Sequence, residues 1–197
     1  MNIVLAIIIL LGYTITMCIK DGGVPSSLSA SVFDLPKGKR WIWTVVLFAV
    51  CFLCVPTYVE VTSENTRFLA FIAIDALAFV GAAPLVADKT DMAYKVHCVA
   101  AVVCAVCSQL VEGFNLSWML LCWVPWVLVF VWITKDHPWR TLVFWAEMVC
   151  FYGTFAYCLI KKYLLCQKEK YKVVISGDGL VRSTPPVPKQ RDKAVLS

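Results

Sequence analysis

The sequence predicts an all-α protein, a polytopic transmembrane helix bundle of about six spans followed by a mobile C-terminal tail. Composition is the first observation behind this fold class: 60% of the 197 residues are hydrophobic, 16% are charged, and the mean hydropathy is +0.77. A soluble domain is about half apolar and a quarter charged. The second observation is that the charges lie in short clusters between long apolar runs. Together they exclude a disordered chain, a small disulfide scaffold and an ordinary water-soluble enzyme.

Six apolar runs are long enough to cross a bilayer, whose hydrocarbon core of about 30 Å requires about 20 residues of α-helix. The runs lack the in–out alternation of barrel strands, and backbone groups in lipid must be paired within their own segment, so we interpret the runs as helices. The fourth run is the shortest and has polar ends, which leaves five or seven spans as alternatives. The predicted spans are Asn2–Ile19, Trp41–Val59, Phe68–Ala87, Val96–Val111, Leu116–Ile133 and Leu142–Ile160.

The ends of the first span and the loop after it carry separate signals. The first run has no positively charged start and no small-residue cleavage site before Lys20, so we expect a retained helix rather than a signal peptide. The segment Lys20–Arg40 is the longest connection, and Ser26 or Ser27 could cap a short helix after Pro25. Two interpretations stay open, a short interfacial or re-entrant helix and a solvated, serine-rich loop.

The chain divides by composition into residues 1–166, the transmembrane bundle, and residues 167–197, a basic, proline-containing flexible tail. Lys172–Arg182 predicts at most a small hairpin, and Pro185–Pro188 favours extended chain. Cations of the loops are nearly balanced between the two sides of a six-span bundle. The dense lysine cluster after the last span nevertheless favours a multipass protein of the inner membrane with both termini in the cytoplasm.

Ionisable residues at membrane depth are the strongest indication of function. Asp75 lies in the middle of the third span and Glu147 about two turns into the sixth. A charged side chain there costs several kcal/mol unless it is neutral, paired or in contact with water. We therefore expect Asp75 to lie close to Glu147 or to a polar group of the fourth span, where two carboxyl groups could hold a proton.

The fourth span carries a narrow stripe of small and polar residues at helical spacing, which is typical of a surface that faces other helices. The stripe consists of His97, Ala101, Cys104, Ser108 and Glu112. Combined with the two intramembrane acids, it makes His97, Ser108 and Glu112 candidate ligand- or proton-binding residues. The alternative is that these groups only join helices by hydrogen bonds.

No metal or cofactor is predicted. The pairs Cys51/Cys54 and Cys104/Cys107 have the C-x-x-C spacing of redox and zinc sites, but a membrane helix mostly uses cysteine for packing. Motifs of nucleotide binding and of soluble hydrolases are absent, and the net charge of +5 is too dispersed for a nucleic-acid surface. The predicted partners are the lipid bilayer and a small solute or proton, and the oligomeric state stays open.

Three short motifs carry a resemblance to a family. These are Gly22–Ser29 (GGVPSSLS), Lys39–Trp43 (KRWIW) and Val80–Pro84 (VGAAP). Over roughly residues 1–135 the chain resembles small multipass proteins of uncharacterised function found in gut Bacteroidetes, which implies a six-helix inner-membrane protein.

A remoter resemblance is to the membrane hydrolase superfamily of alkaline ceramidases and progestin-type receptors. It implies a zinc site of a serine, an aspartate and three histidines, of which Asp75 and His97 match two, while the sixth span has no histidine pair.

Three classes of function follow from the residues and the resemblances. The first is a small transporter or solute-binding bundle that uses Asp75 and Glu147. The second is a membrane-embedded lipid hydrolase with Asp75 and His97 near a metal. The third is a non-catalytic structural or accessory membrane protein.

Overall fold

The computed structural model describes residues 2–86, 92–128 and 141–178. Within these ranges every regular element is a helix and no strand occurs, so the all-α prediction is confirmed. The five long apolar helices are α1 (Asn2–Lys20), α2 (Trp41–Val61), α3 (Arg67–Val86), α4 (Met92–Asn115) and α5 (Leu142–Asp178). Short 3-10 helices lie at Ala30–Asp34, Lys37–Lys39, Glu64–Thr66 and Ser117–Cys122.

The predicted fifth span differs from the other five. In the described residues it is represented by a shorter apolar helix, Ser117–Leu128, which begins as a 3-10 helix, and residues 129–140 lie outside the described part. Within the described residues five helices have spanning length, and the fifth of the six predicted spans lies partly outside them. The other five predicted spans coincide with α1–α5, apart from their ends.

The start of the predicted tail is helical. α5 continues without interruption through Asp178, so the described part of the predicted hairpin, residues 172–178, is helical instead. The physical reason is local, because this stretch has neither proline nor glycine before Gly177 and is rich in good helix formers. Residues 179–197, with the proline-rich segment, lie outside the described part. The chain divides into two compact units between Tyr163 and Leu164, and the features described below belong to the first.

Trp43 lies at the centre of the packing between α1, α2 and α3. Its side chain has no exposed surface, its indole Nε1–H donates to the Val80 carbonyl at 3.4 Å, and its ring centroid is 5.1 Å from that of Tyr13. A Cβ at Gly81 would lie only 3.0 Å from the Leu47 side chain, so α2 and α3 are in close contact at this level. This glycine therefore sets how near the two helices come.

Helix ends are closed by local hydrogen bonds that also join elements. α1 ends at Lys20 and is followed by Gly22, whose φ of +66° suits glycine, and the N–H of Gly23 donates to the Cys18 carbonyl at 3.0 Å. At the other end of the bundle, Asn115 at the end of α4 donates to the Thr66 hydroxyl at 2.8 Å. This bond holds the α2–α3 turn against α4.

The outer surface of the helices is strongly apolar. Every long helix exposes large hydrophobic side chains, and Phe52 of α2 is 82% exposed. The exposed set includes Val4, Ile8 and Ile15 of α1, Phe48 of α2, Phe68 and Phe79 of α3, Val99 and Val102 of α4, and Val143 and Leu159 of α5. Large apolar side chains exposed in this number are typical of a surface that contacts a membrane or another protein.

Candidate functional site

The middle of the α1–α2 connection folds into the bundle, whereas residues 21–24 and 36–39 are exposed. Ser27, Leu28, Ser29 and Ser31 are buried, and the short helix Ala30–Asp34 follows directly. We call Ser26–Ser29 the serine loop. Of the two interpretations of this connection, the structure favours the short inserted helix and excludes the solvated loop.

Glu147 of α5 holds the serine loop in place. Its Oε1 accepts hydrogen bonds from the hydroxyls of Ser27, at 2.8 Å, and Ser29. Its Oε2 accepts the backbone N–H groups of Leu28, at 2.6 Å, and Ser29, at 3.4 Å. A carboxylate is an acceptor that takes about four hydrogen bonds, so this set occupies both oxygens.

His97 of α4 lies behind the serine loop and is 1% exposed. Its Nε2 is 3.3 Å from the Ser29 hydroxyl, and its Nδ1 is 3.1 Å from the Val80 carbonyl. The ring is perpendicular to Phe33 and stacked on Tyr94, at centroid distances of 5.5 and 6.3 Å. Ser29 therefore connects His97 to Glu147, and the orientation of the imidazole is determined on every side.

A cavity of about 280 Å³ lies between the helices, and Ser29 and Glu147 are among its lining residues. Its walls are mostly apolar side chains of α2–α5, such as Val50, Leu77 and Ala101. The few polar lining residues lie at intervals: Ser29 and Glu147 at one level, and Ser108, Thr154 and Tyr58 elsewhere. Glu147 and Thr154 are seven residues apart on α5, which is about 10 Å along the helix.

A second buried acid lies beside this cavity. Glu112 has no exposed surface, and its Oε1 accepts the Thr154 hydroxyl at 2.7 Å. Its Oε2 has no hydrogen-bond partner in the described part of the chain, and neither has Nε2 of Gln109. Oε2 would be 3.4 Å from a Cβ at Gly153, so this glycine leaves the space next to the carboxyl group.

The structure separates the five predicted site residues. His97, Ser108 and Glu112 are buried, which confirms that the stripe on α4 faces inward. His97 and Glu147 are joined through Ser29, whereas Glu112 belongs to the separate pair with Thr154. Ser108 lines the cavity and donates to the Ala105 carbonyl at 3.0 Å.

The expectation for Asp75 is wrong. Its side chain is exposed on α3, and it makes no hydrogen bond or ion pair with the described residues. Asp75 therefore lies neither with Glu147 nor with the polar stripe of α4. α3 is apolar on all sides, so position along the helix alone did not reveal which side faces the bundle.

Sequence reasoning did not identify Ser27, Ser29 or Thr154 as site residues. The run Ser26–Ser29 was a visible signal, but serines occur in most loops, and only the fold shows that Ser27 and Ser29 are buried against a carboxyl group. Thr154 had no signal of its own, because a threonine in a membrane helix usually bonds to its own backbone, as it also does here with Cys150.

Metal binding of the kind implied by the hydrolase resemblance has no geometric basis in the described ranges. No three His, Cys, Asp or Glu side chains there converge to hold a metal ion, and their cysteines are all free. Asp75 and His97, the two residues that match that superfamily, do not form a site together because Asp75 is exposed.

Comparisons with known proteins add no relative: no family model matches the chain, and no curated protein or solved structure is similar to it.

Proposed function

We propose that this protein is an integral membrane protein that binds a small, largely apolar solute in the cavity between its helices. Membrane insertion is supported by five helices of sufficient length and by the large apolar side chains on their outer faces. About 20 apolar residues match the hydrocarbon thickness of a bilayer. In water these surfaces would associate, whereas in lipid they are solvated.

The cavity is the observation that carries the proposal of a solute. Its volume of about 280 Å³ exceeds the roughly 150 Å³ of an apolar cavity that is known to admit benzene. The hydroxyl of Tyr58, one of the lining residues, is buried and has no partner within the described part of the chain. A solute with an apolar body and one or two hydrogen-bonding groups would match both the walls and the polar residues Tyr58, Ser29 and Glu147.

The binding experiment uses the purified protein in detergent micelles and 4-fluorobenzyl alcohol as the probe, observed by ¹⁹F NMR. Empty micelles give the background from partitioning. We expect a saturable shift with the natural protein and its loss in Ala101→Phe, which fills the cavity from α4. Val99→Phe is the matched control, because Val99 is on the same helix but 63% exposed. Equal signals from both variants would contradict binding in the cavity.

The proposed location is the inner membrane, with both termini in the cytoplasm, an arrangement that requires the predicted span Leu116–Ile133 to cross as well as α1–α5. The support is the cluster of lysines near the end of the bundle, Lys161, Lys162 and Lys168, since cytoplasmic flanks are enriched in Lys and Arg. Fusions of a periplasmic phosphatase and of a cytoplasmic fluorescent protein after Gly23 and after Ser197 test this arrangement. The phosphatase should be active only at the first site and the fluorescent protein only at the second. The same result at both sites would contradict it.

A second candidate is acyl transfer or lipid hydrolysis, favoured by the 3.3 Å approach of His97 Nε2 to the Ser29 hydroxyl. The nearby N–H groups of Leu28 and Ser29, however, are occupied by Glu147 and do not form an oxyanion site. A fluorophosphonate probe tests the idea, because a nucleophilic Ser29 would be labelled and Ser29→Ala would lose the label.

A further inference from the structure

We propose that Glu147, Ser29 and His97 form a proton-binding site, in which one proton is shared between the carboxyl group and the imidazole through the serine hydroxyl. The three side chains come from α5, the serine loop and α4, and they touch in that order. The site goes beyond solute binding and does not require that the cavity be occupied.

The hydrogen on one side of the imidazole is determined by its neighbour. The Val80 carbonyl, 3.1 Å from Nδ1, can only accept, so Nδ1 carries a hydrogen and donates it. Nε2 is then the nitrogen whose state varies, and its contact is the Ser29 hydroxyl at 3.3 Å. An Nε2 without hydrogen would have to accept from Ser29.

Counting hydrogens shows that one more is needed. The Ser27 hydroxyl supplies its own bond to Glu147 Oε1, at 2.8 Å. Ser29 has a single hydroxyl hydrogen, yet its oxygen contacts both Glu147 Oε1 and His97 Nε2. With an ionised carboxylate and a neutral imidazole, one of these two contacts would have no hydrogen between two acceptor atoms. Such a contact between two acceptor atoms is repulsive.

One added proton satisfies both contacts in either of two arrangements. In the first, Nε2–H donates to Ser29, whose hydroxyl donates to the Glu147 carboxylate. In the second, the Glu147 carboxylic acid donates to Ser29, whose hydroxyl donates to the bare Nε2. Both contain the same atoms and the same number of protons. They interconvert when the hydrogen on His97 Nε2 moves to the Ser29 oxygen and the Ser29 hydrogen moves to Glu147, or by the reverse of these two transfers. No other bond is broken.

The surrounding charges are consistent with a neutral site. In both arrangements the net charge of Glu147 and His97 together is zero, which avoids the cost of a lone charge in a low-dielectric interior. The ionisable neighbours in the described part of the chain are Tyr94, stacked on His97, and Cys150, one turn beyond Glu147 on α5. Asp34, in the α1–α2 connection, interacts electrostatically with Tyr94.

Arg40 is a cation of the same region, and both its guanidinium and the His97 ring lie against the ring of Phe33. Its guanidinium lies 5.7 Å from the Phe33 ring centroid and donates to the Phe33 carbonyl at 3.1 Å.

The position of the site gives the proton an exit. Ser29 and Glu147 line the cavity, whereas His97 is buried behind them. A proton on the Glu147 side is next to the cavity, and a proton on His97 is withdrawn from it. An occupant of the cavity would thus meet either a carboxylic acid or a carboxylate, depending on where the proton resides.

The experiment locates the proton with two spectra of the full-length protein in detergent at pH 7. ¹⁵N-histidine NMR, in a His137→Gln background so that His97 alone reports, reveals whether Nε2 carries hydrogen. Infrared difference spectra between natural protein and Glu147→Gln reveal whether Glu147 has the carbonyl stretch of an acid. In the natural protein we expect one proton in total on these two groups, bound to His97 Nε2, to Glu147 or divided between them. In Glu147→Gln we expect an Nε2 without hydrogen, because the glutamine amide N–H can replace the carboxylic acid as the donor to Ser29.

A bare Nε2 together with an ionised Glu147 would overturn the proposal, and so would protonation of both groups. Ser29→Ala provides a second variant if Glu147→Gln does not fold. It should uncouple the two groups, so that the His97 spectrum no longer responds when the Glu147 infrared band changes with pH. Ser31→Ala is the matched control, because the Ser31 hydroxyl is buried in the same connection but donates to the Leu28 carbonyl. Its spectra should be those of the natural protein, and coupling that survives in Ser29→Ala would contradict the serine relay.

Discussion

Replacing Glu147 by leucine should destabilise the protein through the backbone of the serine loop. The substitution removes the acceptor of two N–H groups, those of Leu28 at 2.6 Å and Ser29 at 3.4 Å, which cannot turn to another partner. A buried donor left without a partner costs about 1–3 kcal/mol, so the two together should cost about 2–6 kcal/mol. The hydroxyls of Ser27 and Ser29 add little, since they are 3.2 Å apart and can bond to each other.

The assay combines thermal unfolding in detergent with hydrogen exchange of the loop amides. Glu147→Leu should lower the free energy of unfolding by that amount and accelerate exchange at Leu28. Glu147→Gln keeps a carbonyl oxygen for both N–H groups and should lose less than about 1 kcal/mol. Glu60→Gln, at an exposed site on α2, is the control. A loss below 1 kcal/mol in Glu147→Leu, with unchanged exchange at Leu28, would refute the view that this carboxyl group holds the loop.

Three further predictions concern other parts of the bundle. Asp75→Asn should change stability and solute binding by less than about 0.5 kcal/mol in the same assays, because the side chain is exposed; a large loss would mean that Asp75 belongs to a site after all. Gly81→Ala should cost about 1–3 kcal/mol of unfolding free energy, since its Cβ would lie 3.0 Å from a leucine of α2, while Gly12→Ala, with nothing within 4 Å, should not destabilise. Thr154→Val leaves Glu112 without its hydroxyl donor and should cost about 1–3 kcal/mol, measured by thermal unfolding; an unchanged midpoint would show that the Thr154 bond to Glu112 is not made.

The helices were predictable from the sequence because their signal is local. A run of apolar residues of sufficient length indicates a helix irrespective of its neighbours, and all five long helices were found in this way. The stripe from His97 to Glu112 was predictable for a similar reason, since helical spacing places these residues on one face. The hairpin predicted for residues 172–182 was wrong as far as residue 178, because the helix propensity of this stretch extends α5 through it.

The site depends on relations that no local pattern contains. Ser29 meets Glu147 across 118 positions of sequence, and that contact exists only after the loop has entered the bundle. The prediction that Asp75 lies close to other polar groups was wrong for a different reason. An acid in the middle of an apolar helix suggests burial, but the sequence does not show which side of the helix it is on. Glu147, the acid that contacts the serine loop, was among the predicted residues, but its partners Ser27 and Ser29 were not.

The long separation between the serine loop and its acceptor affects how the chain is made. Glu147 leaves the ribosome 118 residues after Ser29 does. At about 5–20 residues per second this takes about 6–24 s. During that interval α1 and α2 can insert, but the amide groups of the serine loop have no carboxylate to bond. The serine loop can therefore reach its final position only after α5 has been made. A nascent chain that stops before α5 carries a polar segment that lacks the carboxyl group against which it is buried.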